Sequence, residues 1–175
     1  NGAYEINLIS QDTTNYGIDL YKEYKIVELL KRVTELEGNF KVRLLYLYPS
    51  LVSDELIDFI AGSDKVYPYF DIPLQHSETK ILKSMNRRGD KEFIINLLKK
   101  IRTKIPHAIL RTTMIVGFPG EEEGDFNNLV EFIKEMKFDR LGAFSYSPEE
   151  DTVGATMPNQ IASDVKKARL SALYL

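Results

Sequence analysis

Gln75 and His76 stand where a strand should be ending. The apolar run from Val66 to Ile72 passes through Pro73 and Leu74 into these two polar side chains, which a solvent-shy strand does not normally carry. Gln75 can donate and accept hydrogen bonds at once, which suits an amino-acid-like ligand. His76 carries the imidazole that a general base requires, although a lone histidine at a strand tip more often holds a hydrogen bond. Arg87 follows Gln75 by twelve residues, which is about three helical turns. Judged locally, a turn hydrogen bond and a helix-end cation account for Gln75 and Arg87 better than a ligand does. Arg111 and Thr113 lie in a second apolar run, His107 to Val116, and share a face by the two-residue period of a strand. A charge there needs a partner or a polar cavity, so Arg111 is either half of a structural ion pair or a binder of a ligand carboxylate. Thr113 faces a cavity on the same argument.

Two loops add carboxylates. Gly117-x-x-Gly120 precedes a helix and can cradle an anion on backbone N–H groups. Glu121, Glu122, Glu123 and Asp125 would repel a phosphate, which excludes a P-loop and leaves a tight turn as an equal reading. Glu149, Glu150 and Asp151 form either an acid–base pair or a solvated loop, and the solvated loop is the simpler account.

The elements that position these residues alternate. Strands are predicted over Tyr4–Ser10, Val42–Leu47, Val66–Ile72, His107–Val116 and Leu141–Tyr146, with amphipathic helices between them and a terminal helix over Ala162–Leu175. Ser53 and Asp90 are placed to cap helices. Strand–helix alternation predicts an α/β fold with a parallel sheet and right-handed crossovers, either a doubly wound open sheet or an incomplete barrel. In both, function sits at the carboxyl ends of the strands. Those ends are Gln11/Asp12, Tyr48/Ser50, Gln75/His76, Thr113/Gly117 and Tyr146/Ser147, which are expected to share one rim.

The composition narrows the classes. The chain has 175 residues, 43% of them hydrophobic, with 23 basic and 26 acidic residues and a net charge of −3. That predicts one domain, 1–175, and argues against a broad nucleic-acid footprint. With no cysteine and only His76 and His107, a metal site built wholly from this chain is not expected. No apolar run reaches membrane-spanning length and no signal peptide precedes Tyr4. The abrupt start just before a strand suggests that upstream protein is missing.

Five motifs then carry a resemblance. Gln11-Asp-Thr-Thr-Asn-Tyr-Gly17, Asp71-Ile-Pro-Leu-Gln-His76, Met85-Asn-Arg87, Arg111-Thr-Thr-Met-Ile-Val-Gly-Phe-Pro-Gly-Glu121 and Phe144-Ser-Tyr-Ser-Pro-Glu-Glu-Asp-Thr152 resemble the radical S-adenosylmethionine methylthiotransferases, in order and spacing from Tyr4 onward. The first and last loops resemble the RimO-type branch, which modifies an aspartate of a small-subunit ribosomal protein. The tRNA-adenosine branch is the alternative. The resemblance implies a partial TIM-type (β/α)6 barrel, of which five strands with outer helices are units two to six. It also implies S-adenosylmethionine and [4Fe–4S] clusters as cofactors, with the cluster ligands outside this chain because the first, cysteine-bearing unit is absent. The segment by itself should not reduce S-adenosylmethionine and holds no catalytic residue. Gln11, Asp12, Gln75, Arg87, Thr113, Ile115, Phe144 and Tyr146 fall at cofactor-binding positions of the family. Arg111, Glu149 and Glu150 are candidates for the substrate side. A cytoplasmic setting follows, with a ribosomal protein as partner, tRNA as the alternative, and no membrane. The acidic loops after Gly120 and Pro148 are expected to present carboxylates around the substrate entrance.

Two other classes compete. A cofactor-free α/β enzyme would pair His76 with Asp12 or Glu149 as acid and base. A non-catalytic module would grip a basic partner through the acidic loops.

Overall fold

A computed structural model describes residues 2–174. Strands and helices alternate: β1 Glu5–Leu8, α1 Ile18–Tyr21, α2 Ile26–Glu35, β2 Lys41–Leu44, α3 Asp54–Gly62, β3 Tyr69–Asp71, α4 Thr79–Ser84, α5 Lys91–Lys104, β4 Ile109–Val116, α6 Glu123–Met136, β5 Arg140–Ser145, α7 Val153–Thr156 and α8 Ser163–Ala172. The expected terminal helix is α8, and Leu175 lies outside the described residues. All five predicted strands exist, in two sheets ordered β1-β2 and β3-β4-β5. β1 pairs with β2 and β3 with β4, both parallel. Among the described residues no helix is long and apolar enough to cross a membrane.

The chain divides into two compact units. Unit 1 is Asn1–Pro73 with Leu97–Arg111, and unit 2 is Leu74–Asn96 with Thr112–Leu175. In unit 1, β1 and β2 run side by side and an isolated parallel bridge joins Val42 to Val66. Parallel pairing there is what βα alternation requires. Leu30, Val42, Leu44, Leu56, Ile57, Phe70 and Ile101 are fully buried in this unit. The Ser53 hydroxyl accepts from the Leu56 N–H at 3.1 Å and starts α3 as a capping residue should. The strands are shorter than the apolar runs that announced them. β2 stops at Leu44 because Tyr46 adopts a left-handed backbone, φ +56°. β3 begins only at Tyr69, after Pro68, which has no N–H to give to a ladder.

In unit 2, β4 and β5 are hydrogen-bonded neighbours, and Gln75 forms an isolated parallel bridge to Met114. α4 ends at Ser84 because Asn86, two residues on, takes the left-handed conformation, φ +55°. Asp90 caps α5 by accepting from the Phe93 N–H at 2.8 Å. The buried stripe of α6 is Asp125, Leu129, Phe132 and Met136. Asp125 belongs to that stripe because its carboxylate accepts from the Glu122 N–H at 2.7 Å and from Lys80 Nζ at 2.8 Å.

Candidate functional site

Unit 2 contains a cavity of about 580 Å³ whose lining includes Gln75, Arg87, Ile115, Phe118, Tyr146 and Glu149. That volume suits a drug- or nucleoside-sized ligand. Gln75 is the informative residue. It leaves β3's extension with φ +72°, in the left-handed region that a glutamine seldom occupies. Its backbone is held on both sides, since its N–H donates to Thr113 O at 2.8 Å and its carbonyl accepts from Ile115 N at 2.7 Å. The strained backbone carries an amide whose buried Oε1 has no hydrogen-bond partner. A buried acceptor left unmade costs about 1–3 kcal/mol, so this oxygen favours a ligand that brings a donor. The Tyr146 hydroxyl, also on the lining, is a second buried atom of this kind. Phe118 meets the Tyr146 ring edge-on, with centroids 4.9 Å apart.

A buried polar network holds this wall. Glu121 is fully buried, and its carboxylate accepts from the Gly117 N–H at 2.8 Å and from Arg169 Nη1 at 2.7 Å. The Gly117–Gly120 turn therefore does cradle an anion, and that anion is the chain's own Glu121. This corrects the expectation that the whole acidic run faces a substrate. Glu121 and Asp125 are buried and paired, and Glu122 bonds Lys80. The turn's amide and the Arg169 guanidinium together offer Glu121 a seat that compensates for lost water. His76, fully buried, accepts from the Glu78 N–H through Nδ1 at 3.0 Å, so its proton sits on Nε2, 3.4 Å from Glu121 Oε2. It is a structural imidazole sealed from solvent. α8 contributes a second cation, Lys166, whose Nζ donates to Tyr146 O at 3.0 Å and lies 5.0 Å from the Tyr146 ring centroid.

Gly154 touches the same ring. A Cβ there would come within 2.5 Å of Tyr146 Oη. Gly154→Ala is therefore expected to displace Tyr146 on the cavity lining and weaken ligand binding about tenfold, with little loss of stability because α7 buries none of its residues. Calorimetric titration beside a thermal melt of the same variant checks both halves.

Unit 1 holds the remaining predicted residues. Asp12 accepts from the Thr14 hydroxyl and lines a separate cavity of about 630 Å³, whereas Gln11 is exposed. Thr13 Oγ1 donates to Leu45 O at 2.6 Å and Tyr48 N–H donates to Thr14 Oγ1 at 3.1 Å, which pins this loop to the exit of β2. Arg111 has its partner, Asp71, at 2.6 Å. Thus Gln75, Arg87, Ile115, Tyr146 and Glu149 come together on one lining. Thr113 and Phe144 do not line it, and Phe144 is 61% exposed. Glu150 is exposed in the loop beyond β5. Sequence reasoning missed Asp71, Tyr46, Arg169 and Lys166. An aspartate closing an apolar run was the one visible signal among them.

Comparison with known proteins decides the family. Residues 1–133 match the Radical SAM superfamily. The chain belongs to the radical SAM superfamily. It is 52% identical over 172 residues to the ribosomal protein uS12 methylthiotransferase RimO of Aquifex aeolicus, covering 98% of this chain and 40% of the relative. It is 49% identical over 174 residues to the enzyme of the same name from Clostridioides difficile, covering 99% of this chain and 39% of that one. The chain thus spans about 40% of the length of the curated relatives it matches. The fold is shared with Streptococcus suis SuiB bound to S-adenosylmethionine, at TM-score 0.56 and 19% identity over 97% of this chain and 35% of that one. It is also shared with Methanocaldococcus infernus Elp3, at TM-score 0.60 and 15% identity over 98% and 44%.

Radical SAM membership implies S-adenosylmethionine and a [4Fe–4S] cluster. The residues here do not fit the cluster. There is no cysteine, and among the described residues no group of three or more His, Asp or Glu side chains could hold a metal ion. They do fit the nucleoside-containing cofactor, because an unpaired Gln75 acceptor, an arginine and an apolar–aromatic wall share one lining.

Proposed function

We propose that this chain is the S-adenosylmethionine-binding core of a methylthiotransferase acting on an aspartate of small-subunit ribosomal protein uS12. The observation that carries the reading is the unpaired, conformationally strained Gln75 amide on a cavity of about 580 Å³. The identity to the uS12 methylthiotransferases supports the substrate class. In this reading 1–175 forms one domain, units two to six of a partial (β/α)6 barrel, and cysteine ligands for the cluster lie in another part of the full-length enzyme. A ribosomal-protein substrate places the reaction in the cytoplasm.

Four of the lining residues have distinct tasks. Gln75 Oε1 accepts a hydrogen bond from the cofactor's polar end. Arg87 meets its carboxylate or ribose oxygens. Ile115 and Tyr146, with Phe118 behind them, flank the adenine and keep water away. S-adenosylmethionine, when bound, supplies the radical chemistry, and this chain supplies orientation and dryness. The cofactor-free alternative loses its base, since His76 is buried and already accepts a backbone N–H.

The test is methylthiolation by the full-length, cluster-loaded enzyme, with uS12 and tRNA as rival substrates. Transfer to tRNA alone would overturn the substrate. A charge test follows from the exposed Glu149 and Glu150. Ribosomal proteins are typically basic, and opposite charge across an encounter surface raises the on-rate in a salt-sensitive way. Glu149→Lys with Glu150→Lys is expected to slow uS12 modification severalfold at low salt and hardly at high salt. A tRNA substrate would instead be helped by the added lysines. Initial rates against ionic strength separate the two, and rates equal to wild type throughout would reduce these carboxylates to a solvated loop.

A further inference from the structure

Unit 1 holds a bulky residue in the left-handed region that the cofactor cavity leaves unexplained. Tyr46 sits at φ +56°, and its side chain is not tucked away, since the residue is 41% exposed. A bulky side chain at positive φ is sterically disfavoured. The backbone is held there from two sides. Tyr46 O accepts from the Thr13 N–H at 3.0 Å, and the Tyr46 N–H donates to Asp71 Oδ2 at 3.2 Å. The following residue, Leu47, donates its N–H to Asp71 O at 2.8 Å. Strain that is over-determined by its surroundings at a strand exit points to a task for the residue.

Asp71 links Tyr46 to a cation. It is fully buried, and its other oxygen accepts from Arg111 Nη1 at 2.6 Å. One carboxylate therefore fixes both the Tyr46 backbone and the Arg111 guanidinium. The Arg111 side chain remains 36% exposed, on the half-buried face of β4. Burial works to lower its pKa, but the bond and charge of Asp71, with smaller contributions from Tyr69 and Tyr46, raise it. The link between Tyr46 and Arg111 is Asp71, whose two oxygens hold the Tyr46 N–H and the Arg111 guanidinium. Arg43 also lies in unit 1 but is fully engaged. It donates to both oxygens of Glu5 at 2.8 and 3.1 Å and lies 4.6 and 4.4 Å from the Tyr67 and Tyr69 ring centroids.

We propose that Tyr46 and Arg111 form a carboxylate-recognition site for an acidic side chain of the polypeptide substrate, with Asp71 as the positioning residue. The planar guanidinium matches a carboxylate, and the phenol adds a donor. This rests on the protein-substrate reading above and names the residues that read the substrate's chemistry.

The full-length, cluster-loaded enzyme is assayed on uS12 and on uS12 with its target aspartate changed to asparagine, for wild type, Arg111→Lys and Tyr46→Phe. Lysine keeps a cation beside Asp71, so the fold is retained, and a thermal melt verifies it. Arg111→Lys is expected to raise KM for uS12 about tenfold, the loss of one charge-assisted hydrogen bond, and Tyr46→Phe about threefold. S-adenosylmethionine affinity should stay within about twofold of wild type, which separates substrate recognition from cofactor binding. In a binding titration, wild type should prefer the aspartate form about tenfold and Arg111→Lys should lose that preference. An unchanged KM in Arg111→Lys, or a preference retained by it, overturns the site while leaving the enzyme reading intact. A wild-type enzyme that modifies tRNA and leaves uS12 untouched overturns both.

Discussion

Glu121→Ala is expected to destabilise the fold by about 3–5 kcal/mol, because removing one partner of a buried ion pair strands the other. Arg169 would lose the 2.7 Å carboxylate with its own side chain only 11% exposed. The Gly117 N–H would lose its 2.8 Å acceptor at the same time. Glu121→Gln keeps an acceptor for Gly117 and removes only the charge, so a smaller loss of about 1–3 kcal/mol is expected. Adding Arg169→Met to Glu121→Gln should recover part of it, since no lone charge then remains buried. Urea unfolding midpoints of the three variants give these values directly. A loss below about 1 kcal/mol for Glu121→Ala would show that the network does not hold the Gly117 turn.

Gln75 gives the second large effect, in two opposite directions. Gln75→Gly removes the amide but relaxes the φ +72° backbone, which costs a side-chain-bearing residue about 1–2 kcal/mol. The variant should therefore unfold no more easily than wild type, and up to about 1 kcal/mol less easily. Its affinity for S-adenosylmethionine in the full-length enzyme should nevertheless fall by about 1–3 kcal/mol, because a cofactor donor loses its acceptor. Gln75→Ala should lose the same affinity without the gain in stability. Arg87→Ala, at the same lining, should weaken binding by a comparable amount. Calorimetry beside a melt separates the two contributions. Wild-type affinity in Gln75→Gly would make this glutamine an accident of the turn.

Much of the fold was legible because its information is local. Strand and helix periods, the Ser53 and Asp90 caps and the βα alternation depend on residues within a turn or two of each other, and each predicted strand exists. Gln75, Arg87, Ile115 and Tyr146, singled out through linked motifs, share one cavity lining. The partners of the charged residues were not. Arg111 and Asp71 are 40 positions apart, and Arg169 and Glu121 are 48 apart. Choosing between ion pair and ligand for Arg111, or recognising Glu121 as the anion in its own glycine turn, requires knowing which segments meet. The same holds for the shortened strands. The backbones of Tyr46 and Gln75 turn left-handed although neither residue type favours it, and each is held by hydrogen bonds to residues far along the chain. Sequence by itself determined the order of strands and helices and which polar residues stood at strand ends. Tertiary structure decided which of those residues are satisfied and which, like the Gln75 amide, are left waiting for a partner, because hydrogen-bond satisfaction is settled by contacts between distant segments.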